Sequence, residues 1–167
     1  RLVTVKLPNN ITTIGETAFS AGWSLSSINI PSNLTNIGTK AFYGCKSITS
    51  INLPSTLTSI GDEAFNGCAA LAEIYNLSSL TLTSGSNNNG MVAYYTNATN
   101  IYSSTSVKSV IETIGNIIYY KQSSSEYVAL APVNRFGLES LKLDSRTIKI
   151  NCYAFQYCPN LVSVDLS

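Results

Sequence analysis

Short stretches of alternating apolar and polar residues recur at a constant spacing along this chain. Thr4-Val5-Lys6-Leu7, Ser27-Ile28-Asn29-Ile30 and Ser50-Ile51-Asn52-Leu53 each follow a period of two, the mark of a short strand with one buried face. Leu2, Leu25, Ile48 and Leu71 fall in one column, each a 23-residue step from the next. The segments then align as LVTVKLPNNITTIGETAFSAGWS, LSSINIPSNLTNIGTKAFYGCKS and ITSINLPSTLTSIGDEAFNGCAA, with LAEIYNL opening a fourth. The pattern returns at Leu138 as LESLKLDSRTIKINCYAFQYCPN and again from Leu161 as LVSVDLS. A fixed period of this size specifies stacked coils rather than a conventional core, because one repeat is too small to bury its own apolar face. The expected fold is a solenoid with one short strand and one short helical turn per 23-residue coil, its strands stacked in parallel about 4.8 Å apart.

Each column of the consensus LxxIxIPxxLTxIGxxAFxGCxx has a physical reason. Pro8, Pro31 and Pro54 follow the strand; proline has no N–H to give to a ladder and ends it. Ile14, Ile37, Ile60 and Ile150 form a second apolar column. Gly15, Gly38 and Gly61 come next, with Asn151 in the last full repeat. Glycine with asparagine as its substitute predicts a left-handed backbone there. Ala-Phe then recurs at Ala18-Phe19, Ala41-Phe42, Ala64-Phe65 and Ala154-Phe155. Glu16, Asp62 and Glu63 just before it suit the start of a helical turn, and the phenylalanines are expected to stack inside the coil.

The string IPxxLTxIGxxAFxGCxxL resembles the BspA-like class of leucine-rich repeats, also called the Treponema pallidum type. Residues 25–47 and 48–70 fit it nearly perfectly, 2–24 fit well, and 138–160 fit with departures. The resemblance implies a leucine-rich-repeat solenoid. It also implies a surface or secreted protein, of the kind found in bacteria of mouth and gut and in some parasitic protozoa, with members linked to adhesion to host proteins and to bacterial co-aggregation. An extracellular or cell-surface location is implied on the same ground.

The pattern lapses in the middle. The interval from Leu71 to Leu138 falls two positions short of three repeats, so residues 77–137 hold either degenerate coils or a different insert. Two strand-like runs, Asn116–Tyr120 and Tyr127–Leu130, flank the polar run Lys121–Glu126 and read as a β-hairpin, with Pro132 ending the second strand. A single solenoid of residues 1–167 is expected: regular repeats over 2–76, an atypical hairpin-containing segment over 77–137, and regular repeats over 138–167. The opening on Arg1, directly ahead of a repeat, reads as a trimmed piece of a longer protein.

Composition narrows the chemistry. Charged residues make up 11% of the chain and the formal net charge is +1, which argues against nucleic acid as a partner. No apolar run reaches membrane-spanning length. Histidine is absent, removing the commonest general base and metal ligand. Asp62 and Glu63 are the one adjacent acidic pair and sit in the repeat's charged column, as a solvated turn would have them. The sequence therefore predicts no catalytic residue, no metal and no cofactor. Cys45, Cys68 and Cys158 share a column that Gly22 fills in the first repeat. A buried thiol column is the first reading, and a Cys45–Cys68 disulfide between adjacent coils the second.

What remains is a binding module. The outward strand positions form two rows: Thr4, Ser27, Ser50 and Glu73, then Lys6, Asn29, Asn52 and Tyr75, with Ser140, Ser163, Lys142 and Asp165 beyond the interruption. Tyrosines, favoured interface anchors, concentrate in the interruption. The expected partner is a protein, a host extracellular or bacterial surface protein, on a face that includes Asn29, Asn52, Glu73, Tyr75, Tyr94 and Tyr95. A glycan ligand and a purely structural spacer are the alternatives.

Overall fold

The computed structural model describes residues 2–83, 90, 100–103, 111–132, 138–150, 154–156 and 158–166. The chain divides into two compact units, residues 1–108 and 109–167.

In the first unit the alternating stretches are strands, β1 (Thr4–Lys6), β3 (Ser27–Asn29), β5 (Ser50–Leu53) and β7 (Glu73–Asn76). They pair in parallel at the register of the repeat, Thr4 with Ser27 and Ser50 with Glu73. After each strand the proline carbonyl accepts a bond three residues on, from Ile11, Leu34 and Leu57 N–H. This turn returns Leu34 and Leu57 to the core, where both are fully buried. The second apolar column forms its own short parallel strands, β2 (Thr13–Ile14), β4 (Asn36–Ile37) and β6 (Ser59–Ile60), in the order β2-β4-β6. Threonines reinforce this side: Thr35 and Thr58 donate through both N–H and hydroxyl to the carbonyl of the threonine one coil earlier, Thr12 and Thr35 respectively.

The Ala-Phe segments are tight turns rather than the expected helical turn. Within Gly38–Cys45, Ala41, Tyr43 and Cys45 N–H bond carbonyls three residues back. The intervening Lys40, Phe42 and Gly44 N–H groups bond Asp62, Ala64 and Asn66 carbonyls of the next coil. Sending every second amide outward precludes a helix, whose amides all bond within the chain segment. The geometry requires left-handed residues at Thr17, Lys40 and Glu63, with φ near +54°, and at Ala21, Gly44 and Gly67. The left-handed position thus lies two residues beyond the glycine column. Gly38 and Gly61 are there for closeness: a Cβ on Gly38 would stand 2.6 Å from Glu16 N, and one on Gly61 2.4 Å from Thr39 N. The phenylalanines stack as expected, Phe19 on Phe42 at 5.4 Å and Phe42 on Phe65 at 5.0 Å between ring centroids, with planes 14° and 17° apart.

The fourth coil is long. Strand β8 (Asn100–Tyr102) pairs in parallel with β7, Glu73 opposite Asn100, a step four positions longer than the regular repeat. Gly90 lies in that step, and its carbonyl accepts the Phe65 N–H, the role that Ala64 plays for Phe42. A Cβ there would stand 2.2 Å from Ile60 Cγ2, so only glycine fits.

The second unit holds the expected hairpin with an extra strand. β9 (Ile111–Ile114), β10 (Ile117–Lys121) and β11 (Tyr127–Pro132) form an antiparallel meander. Gly115, at φ +58°, opens the tight turn between β9 and β10, as a short hairpin connection demands. β11 then pairs in parallel with β13 (Thr147–Ile150), so one strand of the last full repeat completes a four-stranded sheet with the meander. β12 (Ser140–Lys142) and β14 (Ser163–Asp165) pair in parallel, again one regular repeat apart. The core of this unit gathers Ile117, Tyr119, Tyr127, Ala129, Leu138, Leu141 and Leu143, with Phe155 and Leu161 packed against it.

Candidate binding face

The strand columns set up the face. Because side chains alternate across a strand, Val5, Ile28 and Ile51 turn inward while Thr4, Ser27 and Ser50, and Lys6, Asn29 and Asn52, turn outward and are exposed. This surface of β1, β3 and β5 is small, polar and nearly uncharged. Asn29 is anchored within it: Leu7 N–H donates to its Oδ1 at 2.6 Å, and its Nδ2 donates to the Leu7 carbonyl at 3.1 Å. The side-chain amide thereby extends the backbone ladder. Among the described residues the Asn52 amide makes no such bond.

Glu73 and Tyr75 occupy the same rows by register, opposite Ser50 and Asn52, but they are not exposed. Glu73 is 1% and Tyr75 7% accessible. The Tyr75 hydroxyl donates to Glu73 Oε2 at 3.1 Å, and its ring lies 5.2 Å from that of Tyr102 in β8. Polar strand positions that would face water in a regular coil are here packed, so neither side chain is available to touch a partner. Tyr94 and Tyr95 lie outside the described residues. Of the other tyrosines of the interruption, Tyr119 and Tyr127 are buried, and Tyr102 and Tyr120 half-buried. In the second unit Ser140, Lys142, Ser163 and Asp165 are exposed as expected, with Lys142 Nζ 3.1 Å from Asp165 Oδ2.

Of the thiol column, Cys45 and Cys68 are buried and Cys158 is half-buried, and all three are unbridged. Cys45 and Cys68 are free, and their Sγ atoms donate to the Phe19 and Phe42 carbonyls at 3.1 and 3.2 Å. Burial pushes the Cys45 thiol up to about 12 and the Cys68 thiol well above its ordinary value. Both are neutral hydrophobes with a carbonyl partner rather than nucleophiles. Asp62-Glu63 behaves as a charged turn: Glu63 Oε2 lies 3.8 Å from Lys40 Nζ of the preceding coil.

A charged cluster in the second unit has no counterpart in the repeat columns. Arg146 Nε and Nη2 grip both oxygens of Asp144 at 2.7 and 2.8 Å, and Nη1 donates to the Tyr127 hydroxyl at 3.2 Å. That hydroxyl donates to Glu112 Oε2 at 2.9 Å, and Lys121 pairs with Glu112 Oε1 at 2.9 Å. The Arg146 guanidinium also stands 4.3 Å above the Tyr127 ring. Hydrogen bonds from Arg146 hold Asp144 down at about 2, and those from Lys121 and Tyr127 lower Glu112. Every acid in the cluster is matched by a base, so it ties β9, β10 and β11 to the loop before β13 and leaves no free acid–base group. The sequence carried no signal for it beyond the dispersed charges themselves.

The family model described as BspA type leucine rich repeat region matches residues 1–124 and 133–167, with six copies. No curated protein matches the chain. Among solved structures, the chain is similar to a leucine-rich repeat protein of T. pallidum, at 28% identity over 58% of this chain and 44% of that one, TM-score 0.49. It is also similar to a leucine rich cell surface protein of Faecalibacterium prausnitzii, at 21% identity over 99% of this chain and 42% of that one, TM-score 0.43. The pneumococcal vaccine antigen PcpA is similar at 18% identity over 96% and 44%, TM-score 0.43. The chain spans less than half the length of each. Among the described residues no helix is long and apolar enough to cross a membrane.

Proposed function

The chain belongs to the BspA-type leucine-rich repeat family, and we propose that it is a non-enzymatic protein-binding module of a bacterial cell-surface or secreted protein, acting in adhesion. The observation that carries this reading is the outward surface of β1, β3 and β5. Its six side chains, Thr4, Ser27, Ser50, Lys6, Asn29 and Asn52, are exposed, with Thr4 and Lys6 in register with Ser27 and Asn29. A rigid core in which adjacent coils share backbone bonds holds them in place. Regular exposed rows on a stiff scaffold suit recognition of a protein surface, since little ordering entropy is lost on binding. A chain without histidine, whose Cys45 and Cys68 thiols are buried and whose Asp144 and Glu112 are held by Arg146 and Lys121, supports the non-enzymatic part. The surface setting rests on the family.

Glu73 and Tyr75 continue the same rows but are covered; Asn29 and Asn52 are the contact candidates on the described residues. The test is a panel of host extracellular-matrix proteins and bacterial surface proteins probed by biolayer interferometry. The wild-type chain is compared with a Thr4→Arg, Lys6→Glu double variant. A ligand bound by the wild type and weakened at least about tenfold by the variant supports the face, since two mismatched charges at an interface rim cost on the order of 1–2 kcal/mol. Undiminished binding by the variant moves the site off this face, and no ligand across the panel favours a spacer.

A further inference from the structure

The strand ladder of the first unit is interrupted between β3 and β5. β3 pairs with β1, and β5 pairs with β7, but no backbone bond joins β3 to β5 among the described residues. The coils themselves have not separated. On the opposite side β4 pairs with β6, and the Lys40, Phe42 and Gly44 amides bond the next coil across the same junction. A cleft of about 200 Å³ fills the gap, lined by Ser26, Ser27, Ile28, Ser50, Ile51 and Asn52.

Alternation says which groups face the cleft. A strand residue sends its N–H and C=O to the same side, and the next residue sends them to the other. Ser27 N–H bonds Val3 of coil one, and the Thr49 and Leu53 carbonyls accept from coil four. The N–H and C=O of Ile28, and those of Ser50 and Asn52, are therefore directed into the seam. They are joined by the hydroxyls of Ser27 and Ser50 and the carboxamide of Asn52. The equivalent carboxamide one coil earlier, Asn29, is consumed by Leu7; that of Asn52 is not consumed by Ile30. The result is a concave site with several donors and acceptors and no charged residue in its lining.

We propose that the seam between β3 and β5 binds a small neutral polyol, of the size and chemistry of a single sugar ring. Hydroxyls both donate and accept, which matches mixed backbone amides and carbonyls; an anion or cation finds no counter-charge here. The ligand sits at the outward mouth of the cleft, against the exposed Ser27, Ser50 and Asn52 side chains, and does not part the coils. A peptide strand inserted into the ladder would need two strand spacings between β3 and β5, about 9.6 Å, whereas the bonded β4–β6 pair holds the same two coils one spacing apart. The volume is below that of sites for drug-sized ligands, roughly 300 Å³ and upward, and without a stacking aromatic the affinity expected is on the order of millimolar.

Two measurements on the whole chain test this. Hydrogen exchange should show the Ile28, Ser50 and Asn52 amides exchanging at least about 100-fold faster than those of Ala72 and Glu73, which are bonded to Thr49. Equal protection means β3 and β5 are paired in solution and overturns the proposal. Amide chemical shifts are then followed while D-glucose, D-galactose and N-acetyl-D-glucosamine are each titrated in. Saturable shifts at Ile28, Ser50 and Asn52, weakened at least about fivefold in the exposed-site variant Asn52→Leu, support the site. Linear, unsaturable shifts with all three sugars, or saturable shifts that Asn52→Leu leaves unchanged, overturn it.

Discussion

A single column of glycine illustrates how identical residues answer to different constraints. Gly15, Gly38 and Gly61 share a repeat position, yet none has positive φ. A Cβ on Gly61 meets backbone at 2.4 Å, while one on Gly15 meets nothing within 4 Å, because no coil precedes it among the described residues. Gly61→Ala should therefore destabilise the first unit by about 1–3 kcal/mol, the cost of forcing two coils apart. Gly15→Ala should fall within about 0.5 kcal/mol of wild type. Urea denaturation followed by circular dichroism reads both. Equal losses would mean the column is held for its backbone conformation instead, as the Gly/Asn substitution in the sequence alone suggested. The true left-handed residues, Thr17, Lys40 and Glu63, carry no sequence mark, since their strained backbone is imposed by the inter-coil bonds around them rather than by residue type.

At the level of elements, the pattern of apolar and polar residues decided what could be read in advance. β1, β3, β5, β7, β12 and β14 all stand on alternating stretches, and their registers follow from the constant step of the repeat. The hairpin strands β10 and β11 occur once but stand on apolar runs flanking a polar turn, and are legible for that reason. β9 is not, because Ile111–Ile114 neither repeats nor alternates. β8 sits at a longer step that a fixed period cannot find. The packing of Glu73 and Tyr75 was likewise invisible, since a polar strand position is exposed or covered according to what lies over it. The Arg146 cluster belongs to the same class, and its pH response can be stated with its sign. Asp144 is held at about 2 against an ordinary 3.8, and Glu112 is lowered from 4.5. For an acid whose folded value is depressed, the stabilisation is present above the unfolded value and lost as pH falls through the folded one. The second unit should thus lose stability as pH drops from about 4.5 toward 2. Asp144→Asn should flatten that dependence while lowering stability at pH 7. Near-ultraviolet circular dichroism against pH at fixed urea, compared between wild type and variant, would show it. A variant with the wild-type acid slope would mean that Asp144 is no better bound folded than unfolded.

At the scale of the molecule, the absence of charge matters more than any one contact. With 11% charged residues, a formal net charge of +1 and an isoelectric point near 7.8, long-range repulsion between copies is weak at neutral pH. The outward surface of β1, β3 and β5, where Lys6 is the one charged side chain among the six exposed ones, adds little repulsion of its own. Repulsion between copies should therefore be smallest near pH 7.8 and grow toward pH 5, where carboxylates begin to take up protons and the excess of basic over acidic charge increases. Static light scattering at low salt reads this as a second virial coefficient that rises from pH 7.8 to pH 5. A coefficient that stays flat over that range would mean that short-range contacts between copies, and not the weakness of their charge, govern how they interact.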